Sequence, residues 1–197
     1  MIWRENFMNL PNKLTMLRIC LIPLFIACFY LPESWGFKWL IADIVFIAAY
    51  ITDALDGRIA RKHNMVTDFG KFMDPIADKL LTAAAIIFML SAGFFNEYVG
   101  VAFVFITIAR EFIVSGLRLV AASKGVVIAA DKLGKIKTVL QFITVAVILI
   151  DGYVLKGSLA IVKTVLDNAL IGATLVLTVW SMIDYLVKNK SVFAQMK

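Results

Sequence analysis

Six stretches of this chain approach the ~20 consecutive apolar residues that carry an α-helix across ~30 Å of hydrocarbon. They lie near Leu14–Leu31, Trp39–Leu55, Ile76–Phe95, Val99–Val120, Val139–Val154 and Ala160–Val187. A water-soluble domain cannot hide them in its core: 61% of the 197 residues are hydrophobic and only 17% charged, with a mean hydropathy of +0.88. The bilayer is the solvent for such a chain. The expected fold is all-α, a polytopic membrane protein with six transmembrane helices joined by short turns in a single domain spanning residues 1–197. Trp39–Leu55 is short and carries Asp43, so that helix is expected to continue through the polar residues after it.

Lysine and arginine placement sets the orientation. With the amino terminus in the cytoplasm, Arg4, Lys13, Arg18, Arg58, Arg61, Lys62, Lys71, Lys79, Arg110, Arg118, Lys124, Lys132, Lys135, Lys137, Lys188, Lys190 and Lys197 fall on that side. Only Lys38, Lys156 and Lys163 fall on the other. That asymmetry satisfies the positive-inside rule with both termini cytoplasmic, and it puts the protein in the cytoplasmic membrane as a multi-pass chain. The net charge of +6 then describes one face. It attracts anionic lipid; nucleic acid is not an expected partner, because no soluble module offers a basic groove. Cys20 and Cys28 share the first apolar run, too far apart along one helix for a disulfide, and read as packing residues. The opening MIWRENFMNLPN leads into a long apolar run without a small-residue cleavage site, so it reads as a retained helix rather than a signal.

The turns Pro32–Gly36 and Gly93–Glu97, with Asp151-Gly152 and Lys156-Gly157, look chemically silent. The connections Arg58–Met73 and Ala121–Lys137 concentrate charge and glycine. The first of these belongs to the segment Asp53-Ala-Leu-Asp56-Gly57-Arg-Ile-Ala60-Arg61, which continues after eight residues to Gly70-Lys-Phe-Met-Asp74-Pro-Ile-Ala-Asp78. Asp53 and Asp56 are spaced i,i+3 and Asp74 and Asp78 i,i+4, so on helices each pair projects from one face. A hairpin of the second and third helices brings four carboxylates together at the edge of hydrocarbon. Mutual repulsion and desolvation would protonate or separate them unless cations held them. Divalent metal is the simplest counterion, and all-oxygen ligation suits Mg²⁺ or Mn²⁺, two of which can clamp a phosphoryl group and its leaving group.

The same segment matches, at every specified position, D-x2-D-G-x2-A-R-x8-G-x3-D-x3-D, the signature of the CDP-alcohol phosphotransferase family. Eight of those positions arise by chance at a stated start roughly once in a billion. An ordinary belt of salt bridges to Arg58, Arg61, Lys71 and Lys79 would not require the pattern. The resemblance extends over nearly the whole chain, beginning with Asn9-Leu-Pro11-Asn12-Lys-Leu-Thr15-Met-Leu-Arg18. It implies transfer of a substituted phosphoryl group from a CDP-linked donor to an alcohol, with release of CMP. By that resemblance Asp53, Asp56 and Asp74 are metal ligands, and Asp78 is the general base with possible metal contact. Gly57 and Gly70 let the nucleotide approach the backbone, Ala60 walls its pocket, and Arg61 meets pyrophosphate oxygens. Asn12, Thr15 and Arg18, at i,i+3 spacing, can line the nucleotide side. A homodimer is also implied.

Within the family, the chain resembles members that take CDP-diacylglycerol as donor and glycerol 3-phosphate as acceptor. The acceptor segment is Ile108-Ala-Arg110-Glu111 through Ser115-Gly116-Leu-Arg118, with Leu133-Gly134-Lys135-Ile-Lys137-Thr138. Arg110 and Arg118 are expected to share a helix face, and an arginine as deep as Arg110 needs an anion. With Glu111 expected to point elsewhere, Arg110, Arg118, Lys135 and Lys137 form a pocket for the acceptor's phosphate.

Serine, an inositol phosphate or phosphatidylglycerol are alternative acceptors for the same chemistry, and the last two would also use a basic pocket. A polyprenyl transferase also uses carboxylates with Mg²⁺ but leaves Gly57, Ala60-Arg61 and Gly70 unexplained. An ion-coupled transporter predicts midplane acids and a repeat, neither of which the sequence has. His63 is the sole histidine and lies in a basic turn, with no task left for it. Asp43, Asp184 and Glu97 read as helix-end or cavity residues, and Trp35, Trp39 and Trp180 as interfacial anchors.

Overall fold

A computed structural model describes residues 10–62, 68–126, 128–129, 131–154 and 160–190, apart from the side chains at 10, 11, 54, 56–62, 68, 69, 71 and 160. Among the described residues every regular element is helical: α1 Leu10–Phe29, α2 Lys38–Lys62, α3 Asp68–Ser91, α4 Glu97–Ser123, α5 Lys132–Val154 and α6 Ala160–Lys188. Four stretches among the described residues are long and apolar enough to cross a membrane: Asn12–Phe29, Glu97–Ser123, Lys132–Val154 and Ile161–Lys188. α2 and α3 differ from these in charge rather than length, with 25 and 24 residues. Their charges collect where α2 ends and α3 begins, the same stretches that carry the paired aspartates.

The helices run further into the connections than the hydropathy suggests. α2 continues past Leu55 to Lys62 as expected, while α3 begins before Asp74 and α5 already at Lys132. Lys135 and Lys137 therefore sit on a helix, not in a loop. Once a turn has nucleated, each added residue contributes a hydrogen bond, and Ala, Arg, Leu and Lys extend a helix at little cost. The ends are capped chemically: the Asn96 side chain accepts from the Tyr98 N–H at 3.2 Å ahead of α4. Gly93 and Gly125, both at φ +76°, close α3 and α4 in the left-handed conformation. There Phe94 N–H bonds Met89 O and Val126 N–H bonds Ala121 O, which satisfies carbonyls the helix leaves open.

The chain forms two compact units, one of Met1–Phe94 with Leu149–Val154, the other of Phe95–Ile148 with Leu155–Lys197. In the first, α1 packs on α2 and α3. Its buried stripe is Asn12, Thr15, Arg18, Ile22, Phe25 and Cys28, polar at the start and apolar at the end. The apolar end meets an aromatic cluster in which Phe25 lies 5.8 Å from Phe46 and Phe29 5.3 Å from Trp39. Trp39 also stands edge-on to Phe94 at 4.7 Å, so it is a packing residue as much as an anchor. Trp35 and Trp180 are exposed, as anchors should be.

In the second unit α4 packs on α6. The buried residues of α4 recur with strict three-four spacing: Gly100, Phe103, Thr107, Arg110, Val114, Leu117 and Ala121. Val114, Leu117 and Ala121 pack with Tyr185 of α6. The hydroxyls of Thr144 and Thr174 join α5 to α6 at 2.8 Å, both buried.

Candidate active site

The acids of the first unit are met by α1. Asp53 lies near the end of α2, Asp74 and Asp78 in the early turns of α3. Arg18 has no exposed side-chain surface, and its Nη1 stands 2.6 Å from Oδ1 of Asp53, which is 38% exposed. This is a charge contact rather than an aligned hydrogen bond. One turn earlier the Thr15 hydroxyl donates to Asp74 Oδ1 at 2.7 Å. The Asp74 charge acts on Asp53, and the charges of Asp78 and Asp53 both act on Tyr50, so the three described carboxylates share one neighbourhood. Asn12 completes the buried polar face of α1, and Gly70 is buried at the start of α3.

Thr15 and Arg18 thus answer the acids directly, whereas spacing alone suggested only a lining for nucleotide. Of the cations in the alternative salt-bridge belt, Lys79 donates its Nζ to the Pro75 carbonyl, and the side chains of Arg58, Arg61 and Lys71 fall outside the described residues. Gly57 and Ala60-Arg61 lie in the last turns of α2, and the side chains of Asp56, Ala60 and Arg61 fall outside the described residues, as does His63. Among the described residues no three His, Cys, Asp or Glu side chains already stand in a metal-holding group. The donor chemistry nevertheless suits a hard cation: Asp53 and Asp74 present carboxylate oxygen, and a guanidinium and a hydroxyl supply the positive ends that a cation would supply.

The second unit holds the basic cluster, in an arrangement that corrects two expectations. Arg110 is in the buried stripe of α4 while Arg118 is exposed. Eight residues at 3.6 per turn leave Arg118 about 80° round the helix and about 12 Å along it, so the two do not share a face. Arg118 Nε instead donates to the Tyr185 hydroxyl at 3.0 Å, with its guanidinium carbon 5.5 Å from that ring's centroid. Nor does Glu111 point away. Its Oε1 accepts from Arg110 Nη1 at 3.0 Å and from Lys137 Nζ at 2.7 Å. Lys137 is buried and Lys135, two residues before it, is exposed. The structure therefore joins Arg110 to Lys137 through Glu111, and places Arg118 with Tyr185.

Sequence reading did not single out Tyr185, although its place after Asp167, Ile171, Thr174, Thr178 and Ser181 on one buried stripe of α6 was a signal. The other polar residues fall close to expectation. Glu97 occupies the first turn of α4, Asp184 pairs with Lys188, and Asp43 is buried within α2.

Residues 8–181 match the family model described as CDP-alcohol phosphatidyltransferase. The chain belongs to the CDP-alcohol phosphatidyltransferase family. Similar curated proteins bear the name CDP-diacylglycerol–glycerol-3-phosphate 3-phosphatidyltransferase. The Bacillus subtilis (strain 168) protein is 46% identical over 152 residues, which is 72% of this chain and 77% of that relative. The Rickettsia felis relative is 38% identical over 185 residues, 94% of this chain and 97% of its own length. The Salmonella typhimurium relative is 36% identical over 180 residues, 90% and 93% of the two chains. As a CDP-alcohol phosphatidyltransferase the chain is an enzyme, and the match includes both the aspartate segment and the Arg110–Lys137 cluster.

Proposed function

We propose that this CDP-alcohol phosphatidyltransferase moves the phosphatidyl group of CDP-diacylglycerol to glycerol 3-phosphate, giving phosphatidylglycerophosphate and CMP. The observation that carries the reading is likeness at near-full length to relatives of that name, 94% of the chain in one case. Asp53, Asp56, Asp74 and Asp78 would hold divalent metal, Mg²⁺ or Mn²⁺, which when bound offsets charge on the donor pyrophosphate and departing CMP. The acceptor hydroxyl oxygen forms the new bond to the phosphorus next to diacylglycerol, the bond from that phosphorus to CMP breaks, and Asp78 takes the hydroxyl proton. Asn12, Thr15, Gly57, Ala60, Arg61 and Gly70 accommodate the CDP moiety. Arg110 and Lys137 bind the acceptor's phosphate, which suits their burial, and the exposed Arg118 and Lys135 complete the acceptor site from its outer side.

In this reading all six helices cross the cytoplasmic membrane with both termini and the chemistry on the cytoplasmic side, and residues 1–197 act as one domain in a homodimer. Cysteine labelling from either side, at Asn96 and Lys124 in a background lacking Cys20 and Cys28, tests the orientation. Reversed accessibility overturns it, and light scattering in detergent reports the dimer. The decisive test of function is CMP release by purified protein given CDP-diacylglycerol with glycerol 3-phosphate, serine, an inositol phosphate or phosphatidylglycerol in turn. Faster release with any acceptor other than glycerol 3-phosphate refutes the assignment.

A further inference from the structure

Arg110 and Lys137 converge on one atom. The side chains are 8% and 1% exposed, and both donate to Oε1 of Glu111, whose side chain is 21% exposed. Two cationic donors meeting at one oxygen is how a protein binds an anion, and here a carboxylate of the chain itself occupies the point of convergence. Among the described residues Arg110 Nε is buried without a hydrogen-bond partner, so the guanidinium keeps one donor that Glu111 does not use. The wall behind the guanidinium is close: a β-carbon on Gly134 of α5 would stand 3.1 Å from Arg110 Nη2.

We propose that Glu111 determines acceptor specificity as an internal competitor for the phosphate pocket, admitting only an anion that carries more charge and more acceptor oxygens than its own carboxylate. The proposal rests on the reading of Arg110 and Lys137 as acceptor-binding residues. A carboxylate ligand entering the pocket exchanges one monoanion for another and gains little. A neutral polyol gains less. A phosphate monoester near neutral pH carries about −1.5 to −2 and three strong acceptor oxygens, so it can hold both cations, reach the unused Arg110 Nε and release Glu111 to its exposed side. Selectivity for a phosphorylated acceptor then comes from a competing charge as well as from attraction.

The signed consequence is that removing the carboxylate strengthens anion binding. Glu111→Gln keeps the shape and a neutral acceptor oxygen but removes the charge. In detergent-purified enzyme with metal and CDP-diacylglycerol, the KM for glycerol 3-phosphate should fall by about tenfold or more, from the loss of a like charge within a few ångströms of the incoming anion. Inhibition by glycerate, the carboxylate analogue, should also strengthen, from a wild-type level at which exchanging one monoanion for another gains little, while the KM for CDP-diacylglycerol stays unchanged. A raised KM for glycerol 3-phosphate, or an unchanged glycerate inhibition constant, overturns the proposal and leaves Glu111 as a brace for the two cations. Should Glu111→Gln fail to accumulate folded, Glu111→Asp decides: the withdrawn carboxylate should give shifts of the same sign but smaller, and shifts that are absent or opposite refute the idea. Calorimetric titration of inorganic phosphate into wild type and variant separates this inference from the acceptor assignment. If wild type releases no CMP with glycerol 3-phosphate the assignment fails, yet tighter phosphate binding by the variant still supports the role of Glu111, and equal binding still overturns it.

Discussion

Replacing Arg18 by Met tests whether α1 holds the acids in readiness for a cation. Methionine keeps an unbranched stem of similar reach, so the change reports mainly on charge. Removing one partner of a fully buried ion pair costs ~3–5 kcal/mol, whereas exposed pairs contribute ~0.2–1 kcal/mol. Here Arg18 is fully buried and Asp53 is 38% exposed at 2.6 Å. The expected loss in chelator is therefore intermediate, about 1.5–3 kcal/mol. Asp74 adds to it, because its charge acts on an Asp53 that has lost its countercharge.

A divalent cation bound by the acids supplies the missing charge, so Mg²⁺ should stabilise Arg18→Met more than wild type and shrink the deficit to below about 1 kcal/mol. The assay is reversible unfolding in mixed micelles, with EDTA or saturating Mg²⁺, for wild type, Arg18→Met, Asp53→Asn and the double variant. The double-mutant cycle isolates the pair from other contacts of Arg18. An equal deficit with and without Mg²⁺ would show that Arg18 packs rather than compensates charge, and no deficit in EDTA would remove the pair from the stability of this unit.

Three further outcomes follow from the same geometry. Asp53→Ala, Asp56→Ala, Asp74→Ala and Asp78→Ala should each lower metal-dependent CMP release by at least ~10²-fold, and near-full activity in any two of them refutes the shared metal site. Tyr185→Phe removes the hydroxyl that accepts from Arg118. A neutral acceptor on a charged donor is worth ~1–2 kcal/mol, so the KM for glycerol 3-phosphate should rise about 5- to 30-fold with kcat and donor KM nearly unchanged; an effect on thermal stability alone would make Tyr185 a packing residue. Gly134→Ala places a β-carbon 3.1 Å from Arg110 Nη2. The guanidinium must move by a few tenths of an ångström, so acceptor KM should rise at constant donor KM, and an unaltered acceptor KM would show that Arg110 tolerates the shift.

The helices and the aspartates were legible in the sequence for a local reason. Hydropathy over some twenty residues and the 3.6-residue period depend on neighbours along the chain, so α2 reaching through Asp53 to Lys62 and the i,i+4 pairing of Asp74 with Asp78 could be read without a fold. The Asn12, Thr15, Arg18 stripe was legible as a face but not as a partner. Its meeting with Asp53 and Asp74 depends on how α1 lies on α2 and α3, and no sequence period contains that angle. The separation of Arg118 from Arg110 lay within reach, since the stripe running from Gly100 to Ala121 passes through residue 117 and not 118.

By itself, then, the sequence determined six helical segments, a membrane environment, and which acids and cations are available for phosphoryl chemistry, because those follow from composition and spacing. The tertiary structure decided which of them meet. Lys137 reaches Glu111 across 26 residues of chain, and Arg118 reaches Tyr185 across 67. Contacts between helices are selected by packing among alternatives that differ by only about 1 kcal/mol per hydrogen bond. Such differences appear only when two helices are held side by side, each fixing the rotamers and the dielectric in which the other's charges must find partners.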